Sequence, residues 1–281
     1  MSSDNPVESK GLRGGAMGLL SSVVVGLAST APAYSLAATL GLIVASGGAL
    51  LAGVKAPAIV LISFIPIYLI AVAYQELNKA EPDCGTTFTW ASRTFGPIVG
   101  WLGGWGIIAA DVIVMANLAQ IAGAYSFTFV GDLGWSAAAS LADSTLWSTV
   151  AGVLWIVIMT YICYRGIEVS VRLQYGLLLV EMVVLVVVSI IALIKVYTHN
   201  AEAYSLLPSL SWFWPGGLDF GTVIAPAVLT TIFIYWGWDT AVACNEESDD
   251  PGRTPGRAAV LSTFLLLATY ALVSVAAVAF A

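Results

Sequence analysis

The chain has 281 residues, of which 59% are hydrophobic and only 10% charged, with a formal net charge of −7. An ordinary soluble domain carries about a quarter charged residues, so this chain cannot clothe a water-soluble surface and is expected in a lipid bilayer. The negative balance, with no basic cluster, excludes nucleic acid as a natural partner.

The first fifteen residues are polar and form an expected cytoplasmic tail, residues 1–15. The apolar stretch beyond them is too long for the core of a cleavable signal peptide. A helix needs roughly 20 apolar residues to cross a bilayer. Seven stretches qualify: Ala16–Gly47, Ala58–Leu77, Ile98–Phe129, Trp147–Tyr164, Leu173–Val196, Leu218–Cys244 and Ala258–Ala281. With the N-terminus inside, Lys10, Arg13, Lys79, Arg93, Arg165, Arg172, Arg253 and Arg257 fall on the cytoplasmic side, and only Lys55 and Lys195 outside. Eight of the ten basic residues on one side is a positive-inside bias, so a cytoplasmic N-terminus is expected. The chain ends at Ala281 directly after an apolar run, so either Ala281 lies at the outer interface or, as is expected here, the sequence is a fragment of a longer protein.

Two spans depart from plain helix. The first covers about thirty residues, some 45–50 Å at 1.5 Å per residue, against a hydrocarbon core of roughly 30 Å. Within it, Gly26-Leu27-Ala28-Ser29-Thr30-Ala31-Pro32 places two hydroxyl residues ahead of a proline. That pattern fits a fresh helix start, with Ser29 or Thr30 as N-cap and Pro32 in the first turn. A helix that begins mid-membrane presents free N–H groups and a positive dipole end to a small anion such as a carboxylate. The alternative is a proline kink in a continuous helix. The sixth span holds Pro226 and then Phe233-Ile234-Tyr235-Trp236-Gly237-Trp238-Asp239-Thr240, where Gly237 interrupts the helix and Asp239 either caps a second half or binds a cation. Spans one and six enter from opposite sides, and paired interrupted helices in inverted halves point to a transporter's midplane site.

Ionisable and amide residues within spans are the other candidates. Glu181 lies in the middle of the fifth span, where a carboxylate must be protonated, paired or in a wet cavity. It is expected either to carry a proton or to bond a neighbouring helix as a neutral acid. In the third span, Asn117 either faces a substrate or bonds a neighbouring helix, and Asp111 is a ligand or a structural pair. Glu246, Glu247, Asp249 and Asp250 fit a solvated loop pairing with Arg253 and Arg257. Cys84, Cys163 and Cys244 have no metal-site spacing, so neither disulfide nor zinc is expected. A lone His199 and the lack of HExxH or GxSxG motifs argue against an intramembrane enzyme. A seven-span receptor has its N-terminus outside, and a retinal pump needs a lysine in its last span, which is absent here. A channel is separated from a carrier only by unitary conductance against saturable, exchangeable uptake.

The sequence resembles the amino acid–polyamine–organocation superfamily. The resemblance is carried by the interrupted first span, Gly26 to Ser35, and by the sixth span from Phe233 to Asp239. It continues through Asn245-Glu246-Glu247 and the Pro/Arg turn from Pro251 to Arg257. The aromatic and glycine spacing of Gly85 to Trp105 is also similar. The resemblance implies an all-α polytopic membrane protein with a LeuT-like 5+5 inverted repeat, here truncated after the seventh transmembrane helix. Residues 16–197 would form the first five-helix repeat, 198–217 an extracellular loop, and 218–281 the start of the second repeat. It further implies a plasma-membrane permease whose substrate is an amino acid or related amine. The substrate carboxylate would meet backbone N–H groups around Ala28, Ser29, Thr30 and Ala31. The amine would meet carbonyls near Phe233, Tyr235, Trp236 and Gly237, with Phe233 closing over it. No cofactor is expected. A coupling proton is, with Glu181 at a position where some proton-coupled relatives have lysine; exchange is the alternative.

Overall fold

The computed structural model describes residue 12, residues 14–46 and residues 52–280. Among the described residues seven helical segments are long and apolar enough to cross a membrane: Leu19–Val44, Gly53–Ala80, Pro97–Asp132, Thr145–Tyr164, Ile167–Tyr197, Phe220–Ala243 and Thr254–Phe280. Each overlaps one expected span. The expected ends Gly47 and Ala281, and the basic residues Lys10 and Arg13, lie outside the described residues. The chain is an integral, all-helical membrane protein.

It divides into two compact units, residues 1–84 with 171–281, and residues 85–170. In the first unit the broken first span gives α1 (Leu19–Thr30) and α2 (Pro32–Val44). α3 (Ala56–Ala80) directly follows the 3-10 turn Gly53–Lys55. α9 (Ala225–Ile234) and α10 (Thr240–Ala243) make up the sixth span, and α11 (Thr254–Phe280) is the seventh. α11 packs along α3 and α1, while α9 packs on α2 and α3.

Lipid tails are as apolar as leucine, so helices associate in a membrane through close packing and interhelical hydrogen bonds. The first unit does both. A Cβ on Gly26 would sit 2.8 Å from Ser262 Oγ, and one on Gly256 would sit 2.9 Å from Gln75 Cα. Asn78 and Asn245 are fully buried; Asn245 Nδ2 donates to Asn78 Oδ1 at 2.7 Å, and Asn78 Nδ2 donates to the Pro251 carbonyl at 2.8 Å. These bonds tie the end of α3 to the turn that enters α11. At the other end of α11, Ser205 Oγ donates to the Phe280 carbonyl at 3.0 Å and Leu206 N–H to the Ala279 carbonyl at 2.9 Å. The loop after the fifth span is thereby held in place. Exposed Leu20, Leu69 and Phe264 cover the outer faces with apolar surface suited to lipid.

The second unit comprises α4 (Thr86–Phe95), α5 (Pro97–Asp132), α6 (Ser136–Ala142) and α7 (Thr145–Tyr164). α4 is an amphipathic helix of ten residues, too short and polar to appear among the apolar spans. It turns into α5 at Gly96, whose φ of 93° only glycine adopts easily, and Pro97 then opens α5. α5 and α7 meet backbone to backbone. A Cβ on Gly123 would fall 2.1 Å from the Ser148 carbonyl oxygen, and one on Gly152 would fall 2.5 Å from the Ala119 carbonyl oxygen. Above this contact Trp155 Nε1 donates to Ser126 Oγ at 2.9 Å.

Gly123→Val should therefore push α5 off α7 and destabilise the full-length protein by about 1–3 kcal/mol. Gly106→Val, on the same helix with open space around it, serves as the control. Thermal unfolding in detergent measures both; equal midpoints for the two variants would refute the close backbone packing.

Candidate functional site at two broken helices

The first span breaks at Ala31, which adopts the left-handed conformation (φ 44°, ψ 66°), and Pro32 begins the next helix. Alanine is strained there by about 1–2 kcal/mol, so neighbours must hold it. The expected N-cap was Ser29 or Thr30; it is Ala31, with no side-chain cap. Both hydroxyls are engaged elsewhere. Thr30 Oγ1 donates back to the Leu27 carbonyl at 2.6 Å, closing the last turn of α1. Ser29 Oγ is bonded to Thr240 Oγ1 of α10 at 2.8 Å.

The helix start is capped from another span. α8 (Ile167–Tyr197) brings in Glu181, whose Oε1 accepts from the Ala33 N–H at 2.6 Å. Pro32 has no N–H, and Ser35 N–H already reaches the Ala31 carbonyl at 2.9 Å, so Ala33 is among the first-turn donors without an intrahelical acceptor. A carboxylate at the positive end of a helix is favourable for charge and for hydrogen bonding. α8 is tied to α1 as well, through Tyr175 OH and Ser21 Oγ at 3.2 Å. Carbonyls freed by the break are also taken up: Ser35 Oγ donates to the Thr30 carbonyl at 2.7 Å.

The sixth span opens on Asp219, whose carboxylate accepts from the Thr222 N–H and hydroxyl, each at 2.8 Å. Those bonds hold the Asp219 carboxyl below its usual range, the Thr222 backbone N–H contributing most. A wide π-helical turn, Phe220–Ile224, leads into α9. The helix then stops, and Tyr235 to Asp239 run as turns before α10. Asp239 stands at the N-cap position of α10, as the sequence suggests, but its side chain makes no cap bond; its carbonyl accepts from Val242 N–H at 2.8 Å.

Gly237 joins the two breaks. Its φ is 125°, and a Cβ there would lie 2.8 Å from the carbonyl carbon and oxygen of Ser29 and 2.9 Å from the Thr30 nitrogen. Only glycine satisfies both the backbone angle and the approach. Of Ala28, Ser29, Thr30 and Ala31, the Ser29–Thr30 peptide is thus the part brought against Gly237.

The aromatic residues around Gly237 separate into two groups. Tyr235 is fully buried, and its hydroxyl donates to the Val60 carbonyl of α3 at 3.2 Å. Its ring lies 4.9 Å from that of Tyr270, whose hydroxyl donates to the Ile234 carbonyl at 2.7 Å, at the end of α9. Tyr235 and Tyr270 brace the break from behind. Phe233 is 54% exposed, and its ring stands 6.4 Å from Trp236. These two, with Tyr74, Trp238, Asp239 and the aliphatic side chains of α3 and α9, line a cavity of about 350 Å³. Trp238 Nε1 is buried with no hydrogen-bond partner among the described residues.

Asn117 and Asp111 belong to α5 in the second unit, where both are exposed. Sequence reasoning missed Tyr270 and Thr240, which serve the breaks from flanking helices. It also missed that Asp83, Cys84 and Glu246 bring a mixed set of donors within 4.8 Å of one another, since Glu246 is remote in sequence. Cys84 N–H donates to Glu246 Oε1 at 3.2 Å. Among the described residues neither Arg253 nor Arg257 forms the ion pair expected with the acidic run.

Residues 20–281 match the family described as amino acid permease. The chain belongs to the amino acid permease family. A transporter of Mycobacterium tuberculosis, uncharacterized by name, is 30% identical over 266 residues, covering 94% of this chain and 52% of that protein. The branched-chain amino acid permease BcaP of Bacillus subtilis is 24% identical over 247 residues, 85% of this chain and 50% of its own. The methylthioribose transporter of Bacillus subtilis is 23% identical over 192 residues, 66% of this chain and 39% of its own. The chain spans about half the length of the first two of these relatives. Membership of the permease family places it among membrane transport proteins and not among enzymes.

Gly237→Ala in the full-length permease should lower the thermal midpoint in detergent, by overlap with Ser29 and by backbone strain together worth about 2 kcal/mol or more. Gly221→Ala, where the nearest atom to a new Cβ is Asp219 Oδ1 at 3.7 Å, should be near neutral. A Gly237→Ala protein as stable as the Gly221→Ala protein would contradict the apposition of the two breaks.

Proposed function

We propose that this chain is part of a secondary active transporter that imports amino acids by proton symport, with the substrate bound where the broken first and sixth spans cross. Residues 16–197 supply the first five-helix repeat, 198–217 an external loop, and 218–281 the opening of the second repeat. The N-terminus lies in the cytoplasm and the protein in the plasma membrane. The distribution of lysine and arginine supports that orientation.

The observation that carries the reading is the bond from Ala33 N–H to Glu181 Oε1. Two anions compete for one helix end. While Glu181 is ionised, it occupies the donor and the positive dipole at the start of α2. Protonation removes its charge and weakens the bond, which frees that end for the carboxylate of an amino acid. The helix end then faces one carboxylate before and after the exchange, and the charge the site gains is that of the proton, since the amino acid enters as a net-neutral zwitterion. Release of the proton on the other side restores the internal cap and expels the substrate carboxylate.

The cavity beside the break supports substrates with apolar side chains. Ile67, Ile70, Leu229 and Ile232 line it together with the aromatic residues, and Asp239 is its one acidic group. The similarity to branched-chain amino acid permeases agrees with this.

Reconstitution of the full-length protein in liposomes tests the scheme. An imposed gradient of one pH unit should drive accumulation of leucine, isoleucine or valine up to about tenfold at one proton per substrate. Glu181→Gln should abolish that accumulation while leaving exchange of labelled for unlabelled substrate intact. Undiminished gradient-driven accumulation by Glu181→Gln would remove Glu181 from the coupling. No uptake of any amino acid by the unaltered protein would remove the substrate class.

A further inference from the structure

The last turns of α3 and the turn entering α11 enclose a polar recess of about 350 Å³, lined by Gln75, Glu76, Lys79, Gly252, Arg253 and Arg257. Three cationic side chains face one carboxylate there. Glu76 lies 3.7 Å from Lys79, but both side chains are more than 60% exposed (64% and 63%), so that pair is weak. Among the described residues neither the Arg253 nor the Arg257 guanidinium has an ion-pair partner. The lining of the recess thus carries three cationic groups to one carboxylate, unlike the apolar cavity of about 570 Å³ between α2 and α11.

Its walls are fixed. Gly256 brings the first turn of α11 against Gln75, with room for no Cβ between them. The buried Asn78 binds the Pro251 carbonyl on one side and Asn245 on the other, which sets the turn that carries Gly252 and Arg253. The charged groups are thus mounted on a preorganised frame, which lowers the entropy lost when a ligand orders them.

The recess also sits at the ends of two spans. Lys79 is one residue from the end of the segment Gly53–Ala80, and Arg253 directly precedes the segment Thr254–Phe280. Lipid phosphates lie at that depth. Arginine presents a planar fork that matches phosphate oxygens, and basic pockets between transmembrane helices suit lipid headgroups.

We propose that this recess binds a phosphate group, with Arg253 and Arg257 as the chelating pair and Lys79 as a third point charge. The same chemistry is offered by the headgroup of an anionic phospholipid and by a soluble phosphate. The position at the membrane boundary favours the lipid.

The test uses the full-length protein in neutral detergent, titrated with phosphatidylglycerol, with phosphatidylcholine, or with inorganic phosphate, and read by thermal midpoint and by native mass spectrometry. Phosphatidylglycerol should raise the midpoint saturably where phosphatidylcholine does not. Arg253→Gln with Arg257→Gln should weaken its apparent affinity on the order of tenfold or more. Arg165→Gln, outside the recess, should leave it unchanged. If inorganic phosphate gives the same Arg-dependent stabilisation and displaces the lipid, the site is one for soluble phosphate; if it does neither, the ligand is the lipid. Equal binding by the double variant and the unaltered protein overturns the proposal. So does equal weakening by Arg165→Gln, or the absence of saturable binding of either probe.

Discussion

A helix interrupted inside a bilayer strands backbone N–H and C=O groups where no bulk water can reach them, at several kcal/mol for each group left unpaired. The two interrupted spans of this permease exist because other helices supply the missing partners. Glu181 takes the Ala33 N–H from α8, Ser35 takes the Thr30 carbonyl, and Tyr270 takes the Ile234 carbonyl from α11. Remove those side chains and nothing local prevents α1 and α2 from relaxing toward a kinked continuous helix, since the hydroxyls of Ser29 and Thr30 are committed elsewhere. The break is thus a property of the packed bundle more than of the segment that contains it.

That division explains what could be read from the sequence. The seven spans are legible from apolar length alone and the sixth-span interruption from Gly237 between two tryptophans, whereas the local chemistry before Pro32 fits a kink as well as a break and points to a break only beside the sixth span. The identity of the cap was not legible. Ser29 and Thr30 carry the right chemistry for an N-cap, but Glu181, 148 positions beyond Ala33, does the capping. A side chain so remote leaves no spacing signal. α4 escaped for a different reason: its ten residues are amphipathic, so a search by apolar length passes over them.

Tyr235 illustrates a finer limit. In the sequence it stands between Phe233 and Trp236, and a cluster of aromatics beside a glycine invites one common role. The end of α9 separates them. Phe233 remains on the open face, while Tyr235 turns inward to bond Val60 and to pack at a tilt against Tyr270. A helix places residues two apart on different faces, so alternate members of an aromatic run have different surroundings. Tyr235 and Tyr270 together fasten the end of α9 to α3 and α11. Phe233 and Trp236 stay available to the cavity.

The crossing itself sets a demand on both broken spans. Gly237 touches the Ser29–Thr30 peptide closely enough to exclude a methyl group, and Ser29 Oγ bonds Thr240 across the same gap. Neither break can shift along the bundle without carrying the other or losing that bond. Ala31, strained and uncapped by its own side chain, sits next to this junction and within two residues of the N–H that Glu181 holds. The Glu181 bond to Ala33 thus lies two residues from a point where the two broken spans meet. In the proposed transport scheme the two broken spans would rock as a coupled pair, which would preserve the Gly237 apposition while the bond from Ala33 to Glu181 opens.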